Sequence, residues 1–475
     1  MAPTVRSFSA EFEPLELIEQ FPEVYPGLLE SGSAMSAGDG ARYDILPFAS
    51  GEHLLLDAKR RLTGPHAGNE GFLSALDGWW KSLRPAESAA PTETAEQHES
   101  ANTRSEPATR VPFTGGWLVY LGYELASEIE PCLVLPPSSD PVVALALRAP
   151  AAWLRDRATG EGWLIAEPGR EAMLDEFEQR VSRLREPVPA QSTAPLHSTL
   201  FRIDEDDPAK FLSAVRRALE YTAAGDVYQT NLSRQWRAAA SRPVSPVAIY
   251  QRLRSTNPSP FAAILRYEDF ALLSSSPERL VAVREGVVST RPIAGTRPRG
   301  ASLEDDEALI RSLLDNDKER AEHVMLIDLE RNDLGRVCIG GSVHVDEYMS
   351  VETYAHVHHI VSNVSGRLRN GVSPIGVIRA LFPGGTITGC PKIRCMQIIA
   401  ELEDCGRGAY TGSIGYVNRD GSCDFNILIR TITAQGTTFN FRAGAGIVAD
   451  SIPAQELAET RAKAEGLLRA LGVRP

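Results

Sequence analysis

The chain has 475 residues, 43% hydrophobic and 23% charged, with a formal net charge of −13 at pH 7. That length exceeds one ordinary core, so two domains or one large two-lobed body are expected. The acidic balance argues against nucleic-acid binding, which needs a basic face, and no apolar run nears the roughly 18 residues that span a membrane.

The opening MAPTVRSFSAEFEPLE lacks a basic region followed by an apolar one, so no secretory signal is read there. Residues 1 to about 85 mix short apolar runs (43–48, 53–56) with turn residues, as in a β-rich lobe. Residues 86–110 hold Ala, Ser, Thr, Glu and Pro without a large apolar side chain, the composition of a mobile loop. TGGWLVYLGYELA, beginning at Thr114, predicts a strand and then a helix, and 142–168 predicts further strands. A polar, proline-bearing stretch near 186–200 is the boundary candidate, dividing 1–195 from 200–475.

The second half opens with a helix capped by Asp206 or Asp207, with Pro208 in its first turn and Gly225 at its end. Strands are expected around 261–265 and 271–275. YTGSIGYVNRDGSCDFNILIRTITA reads as two strands joined at Asp420-Gly421. In the second strand Phe425, Ile427 and Ile429 alternate with Asn426, Leu428 and Arg430. Six scattered cysteines form no CxxC pair and fit reduced thiols in a cytoplasmic protein.

Residues 315–336, DNDKERAEHVMLIDLERNDLGR, carry the strongest pattern. Glu319 and Glu322 fall on one helix face, beside an apolar stripe of Ala321, Val324, Met325 and Leu329. A later helix, SIPAQELAETRAK, repeats the spacing with Glu456 and Glu459. Each pair alone is a solvated helix edge; two such pairs can build an oxygen-rich site for a hard cation such as Mg²⁺. No histidine or cysteine stands at ligand spacing beside them, which makes zinc and copper poor fits.

Glycine-rich stretches punctuate the same half. AGAGIVA (443–449) matches a dinucleotide fingerprint only superficially, because strand-like residues follow it and Pro453 starts the helix later. Its glycines read equally as a tight turn or as backbone open to an anionic ligand. FPGGTITGCPK (382–392), which includes Thr386, lacks P-loop spacing, and TRPIAGTRPRG (290–300) fits anion contacts or a solvated turn. HVHH (356–359) alternates across a strand, so it offers one acid/base or core histidine rather than a two-ligand metal site.

In this order, SSPERL (275–280), PIAGTRPRG, ERAEHVMLIDLERNDLGRV, HVHHIVS, FPGGTITGCPK, TGSIGYV and GAGIVADS resemble the chorismate-utilising enzymes. That family includes anthranilate synthase component I, aminodeoxychorismate synthase component I, isochorismate synthase and salicylate synthase. The resemblance is close over roughly 205–470 and looser over the first 165 residues. It implies an α+β fold, one large two-lobed body of antiparallel sheets flanked by helices, with the chorismate-binding catalytic domain in 200–475.

The resemblance also assigns roles. Glu322 and Glu459 look like Mg²⁺ ligands, with Glu319 and Glu456 as their supporting or alternate partners. Tyr416, Arg430, the backbone at Ala445–Gly446 and Lys463 resemble the contacts to substrate carboxylates, and Thr386 joins them on the glycine-rich loop. For Lys463, four residues after Glu459, a plain helix ion pair is the alternative. Glu278 matches the general acid that protonates the departing C4 hydroxyl, and His359 matches the family histidine near the ring. Isochorismate and salicylate synthases resemble each other in placing a water-activating lysine where this chain has Gln229.

Among the aminating branches, YQTNLSR, NPSPF and VHHIVS look closer to aminodeoxychorismate synthase component I. Ala294, however, stands where many of those enzymes have a lysine, and matches the anthranilate synthases. The expected activity is C4 amination of chorismate, with ammonia from a separate glutamine amidotransferase subunit. Anthranilate synthase component I is the alternative enzyme, and a non-catalytic chorismate-binding subunit the alternative of another class. LLES (28–31) resembles the tryptophan-binding element of feedback-inhibited anthranilate synthases.

Overall fold

A computed structural model describes residues 2–32, 42–68, 70–84, 111–184, 201–300, 302–353 and 357–473. The loop expected at 86–110 and the boundary near 186–200 lie outside them.

Two antiparallel sheets of 12 and 11 strands form the body. The larger runs from an edge at Thr4–Ser7 through Gly27–Glu30, Phe261–Tyr267, Phe270–Ser276 and Thr438–Ile447 to Gln229–Ala240 and Phe201–Glu205. The other runs from Ile293–Pro298 and Val357–Arg367 through Arg279–Arg284, Cys423–Asn426, Ser413–Asn418 and Gly116–Leu121 to Leu62–Thr63. Both sheets join chain from either side of the 186–200 stretch: Leu29 pairs with Ala263, and Val119 with Gly415.

The two sheets meet face to face. Leu118, Tyr120 and Leu145 of the smaller pack on Ala263, Leu265 and Leu272 of the larger. Helices Phe72–Leu83 and Pro374–Leu381 cover the outer face of the smaller sheet. Pro14–Gln20, Ala172–Leu184, Pro246–Thr256 and Pro453–Ala470 cover the larger. Strands so enclosed read as continuous apolar runs, and all eight residues of Val142–Ala149 are buried. The architecture is α+β.

Several local expectations hold. Asp207 caps the helix Pro208–Ala223, accepting from Ala209 N–H, and Gly225 follows with φ 80°. Ser413–Asn418 and Cys423–Asn426 form the expected hairpin, with Gly421 at φ 94°. The second strand does not run on, however. It stops at Asn426, Arg430 turns to φ 51°, and the chain enters the other sheet as Thr431–Gln435.

The apolar stripe read on 315–336 is also corrected. The helix is Asp317–Gly335, but Ala321 and Val324 are exposed, and the buried positions are His323, Leu326, Ile327, Glu330, Asp333 and Leu334. Polar side chains occupy this inner face because partners meet them: His323 Nε2 is 2.7 Å from Ser362 Oγ, and Asp333 bonds Lys392. All six cysteines are free. No helix among the described residues is long and apolar enough to cross a membrane.

Candidate active site

One cavity of about 900 Å³ opens between the sheets' ends and the helices Asp317–Gly335 and Pro453–Ala470. It gathers Glu278, Ala294, Glu319, Glu322, His359, Thr386, Arg430, Gly446, Glu456, Glu459 and Lys463, which lie up to 185 residues apart in sequence. Gln229 joins them from the strand Gln229–Ala240.

Glu278 follows the strand Phe270–Ser276. Its N–H donates to Ser276 Oγ at 3.2 Å and its carbonyl accepts from Ile427 N–H at 2.9 Å, which fixes the backbone at the cavity wall. Burial pushes its carboxyl up to about 7, against the opposing pull of the Thr386 hydroxyl, Lys463 and Arg430. The Arg430 guanidinium is half-buried at the cavity wall; desolvation lowers its pKa and Glu278 opposes the shift. His359 is pushed down to about 4 by burial and by Arg430, so its imidazole is neutral at pH 7. Its Nδ1 lies 2.9 Å from the Thr296 hydroxyl.

The four glutamates of the two helical pairs face the same cavity, yet two of them answer cations. Glu319 Oε1 accepts from Arg297 at 2.7 Å, and Glu459 pairs with Lys463 at 2.6 Å. Lys463 therefore makes the helix ion pair that its spacing allowed, and also donates to Gly444 O at 3.1 Å. Among the described residues, no group of three His, Cys, Asp or Glu side chains is spaced to hold a metal ion. The donor chemistry nonetheless suits a hard cation: every donor is oxygen, and Glu319 Oε2 is buried without a hydrogen-bond partner.

One expected site residue falls elsewhere. Tyr416 does not line this cavity: its ring packs edge-on against Phe113 at 5.6 Å. It borders a separate cavity of about 60 Å³, together with Leu29, Glu30 and Ser31 of the LLES stretch. There the Glu30 carboxylate accepts from the Tyr250 hydroxyl at 2.7 Å and from Arg157 and Arg254 at 3.2 Å each. Ala445 turns its methyl into the core with Phe211, Val215 and Leu232, because alternation along Thr438–Ile447 gives the cavity to Gly444 and Gly446.

Those glycines lie within a strand rather than at a strand-to-helix turn, which removes the dinucleotide reading. What they admit is side chains. A Cβ on Gly444 would stand 2.6 Å from the Tyr410 hydroxyl, and one on Gly446 2.5 Å from Gln229 Nε2. Tyr410, Asn231 and Arg442 line the cavity without having been singled out in the sequence. Asn231 lies inside YQTNLSR and Tyr410 opens YTGSIGYV, but neither stretch marks them as cavity residues, and the pairing of Gln229–Ala240 with Thr438–Ile447 is what sets Asn231 beside Arg442's strand.

Comparison with known proteins agrees with this geometry. The family model for chorismate binding enzyme matches residues 53–469. An anthranilate synthase component I-like protein of Synechocystis is 42% identical over 375 residues, covering 79% of this chain and 76% of its own. Aminodeoxychorismate synthase component 1 of Bacillus subtilis is 41% identical over 410 residues, covering 84% and 82%. The crystal structure of anthranilate synthase component I from Streptococcus pneumoniae superposes with a TM-score of 0.76 at 30% identity, covering 97% of this chain and 99% of that one. With the matched region spanning both sheets and every wall of the cavity, the chain belongs to the family of chorismate-binding enzymes.

Proposed function

We propose that the protein aminates chorismate at C4, giving 4-amino-4-deoxychorismate for p-aminobenzoate and folate synthesis, with ammonia supplied by a glutamine amidotransferase subunit. The observation that carries the reading is the buried Glu278 carboxyl, held near neutrality beside two cations, Arg430 and Lys463. A carboxyl protonated close to physiological pH is a general acid. Cations sharing its cavity suit a substrate bearing carboxylates. Ammonia attacks C4, the C4–O bond breaks, and the Glu278 proton leaves with the hydroxyl as water. The Glu278 carboxylate then takes back the proton that the new amine sheds, so atoms and charge balance.

Gln229, in the place of the water-activating lysine, has no proton-accepting nitrogen at neutral pH, which leaves ammonia as the nucleophile. Ala294 offers no amine for a covalent adduct, so attack at C4 is direct. Glu322 and Glu459, with Glu319 and Glu456 beside them, would hold Mg²⁺, which when bound would offset the charge of a substrate carboxylate.

Ala294 favours a second reading, anthranilate synthase component I, in which amination falls at C2 and pyruvate is released. Purified protein with chorismate, Mg²⁺ and ammonium separates the two. The first reading gives p-aminobenzoate only after a lyase is added, without pyruvate in the first step. Lyase-independent anthranilate with stoichiometric pyruvate would overturn it.

A further inference from the structure

No residue before Gln229 lines the catalytic cavity among the described residues, yet two buried carboxylates of the N-terminal half hold part of its wall in place. Glu124 follows the strand Gly116–Leu121 and is 2% exposed. Its Oε1 accepts the Arg407 N–H at 2.6 Å, and both its oxygens accept the Gly408 N–H at 3.2 Å. Asp140 Oδ2 accepts the next amide, Ala409 N–H, at 3.1 Å. The neighbouring Tyr123 N–H donates to Gly408 O at 2.8 Å. Consecutive amides at 407, 408 and 409 thus all end on N-terminal carboxylates. The fit leaves no slack: Gly408 has φ 59°, and a Cβ there would stand 2.2 Å from Asp140 Oδ2.

The following residue is Tyr410, on the cavity wall. Its hydroxyl lies 3.5 Å from Asn231 Oδ1, which also lines the cavity. Arg407 extends the same connection. Its guanidinium donates to Asn231 O at 2.8 Å and to Glu403 at 2.6 Å, and Glu403 accepts from Arg442, a third wall residue, at 2.8 Å. Ionised, a carboxylate only accepts, although burial pushes Glu124 up to about 7 and raises Asp140. An amide at 124 would set a donor against the Gly408 N–H that both oxygens now meet, and one at 140 would replace an oxygen of the pair that accepts from Ala409 N–H and, at 3.2 Å, from the Thr433 hydroxyl.

We propose that Glu124 and Asp140 are positioning residues of the catalytic site: they seat the segment 406–410 and thereby set Tyr410, Asn231 and Arg442 for substrate. The proposal rests on chorismate being that substrate. It gives the N-terminal half a role in binding without any contact to ligand.

The test combines amide hydrogen exchange with steady-state kinetics on full-length Glu124→Gln and Asp140→Asn. Leu54→Ala, a core truncation in the N-terminal half, serves as a control destabilised for another reason. We expect the 407–409 amides to exchange about tenfold faster or more in the two variants. KM for chorismate should rise about fivefold or more while kcat changes less than about twofold. Leu54→Ala should lower Tm and leave both readouts alone. An unchanged KM in Glu124→Gln and Asp140→Asn would overturn the proposal, as would an equal rise in Leu54→Ala. If Glu124→Gln does not fold, Asp140→Asn decides. If the wild-type protein neither binds nor turns over chorismate, the functional reading has failed separately. Exchange at 407–409 then still decides the seating: faster exchange in the variants supports it, and unaltered exchange overturns it.

Discussion

Glu278 loses hydration on folding and recovers only part of it from the nearby cations Lys463 and Arg430, so its neutral form persists to about pH 7. Its folded pKa lies above its ordinary value, so between the two the native state binds the extra proton and stability falls as pH rises. Glu278→Gln removes that titration. We expect kcat to drop by roughly 10²–10⁴-fold, while thermal unfolding above pH 7 shows a variant more stable than wild type. In the wild type at saturating ammonia, kcat/KM for chorismate should decline as pH rises through about 7. At Arg430, replacement by Gln removes a half-buried cation facing the cavity. KM for chorismate should rise roughly tenfold to a hundredfold, the usual worth of a charge-assisted hydrogen bond, and a KM within twofold of wild type would exclude Arg430 from binding. Both residues were legible in the sequence, because each sits in a contiguous motif. Tyr416 shows the limit: its motif is equally clear, but the strand points its ring into a different cavity.

The helix Asp317–Gly335 illustrates what happens at the next scale. Spacing placed Glu319 and Glu322 on the cavity side, yet the inner face was misread because it mixes His323, Glu330 and Asp333 with Leu326, Ile327 and Leu334 rather than following the stripe through Ala321 and Val324. Burial and the neighbouring Asp333 push the Glu330 carboxyl up, and Lys392 meets Asp333. Hydropathy patterning assumes water on polar faces, and here distant partners replace it. The helix start is set by Asn316, whose side chain accepts the Glu319 N–H at 3.1 Å. Asn316→Ala should cost about 1 kcal/mol of stability and, by loosening the first turn that carries Glu319, raise the Mg²⁺ concentration needed for half-maximal activity. Equal metal dependence in the variant would separate the cap from the cation site.

Over the whole molecule, both sheets are built from strands on either side of the 186–200 stretch. A fragment of 200–475 would carry every cavity residue but expose the edges of Phe261–Tyr267 and Ser413–Asn418, where Gly27–Glu30 and Gly116–Leu121 now pair. Unpaired edges of that kind aggregate. We expect the fragment alone to be insoluble or inactive, and to regain activity when co-expressed with residues 1–199. An active, monomeric fragment would contradict this dependence.

The sequence by itself determined the family and picked out Glu278, Glu322, His359, Thr386, Arg430 and Glu459 as candidates, because long motifs in fixed order stay recognisable wherever the chain takes them. It also determined most elements, since alternation, caps and turn glycines act over a few residues. The tertiary structure alone decided which of these side chains share one cavity. It moved Tyr416 out, brought in Tyr410, Asn231 and Arg442, and tied that wall to Glu124 and Asp140. Those outcomes depend on pairing between strands far apart in the chain and on the direction each side chain takes from its strand, and neither is a local property of sequence.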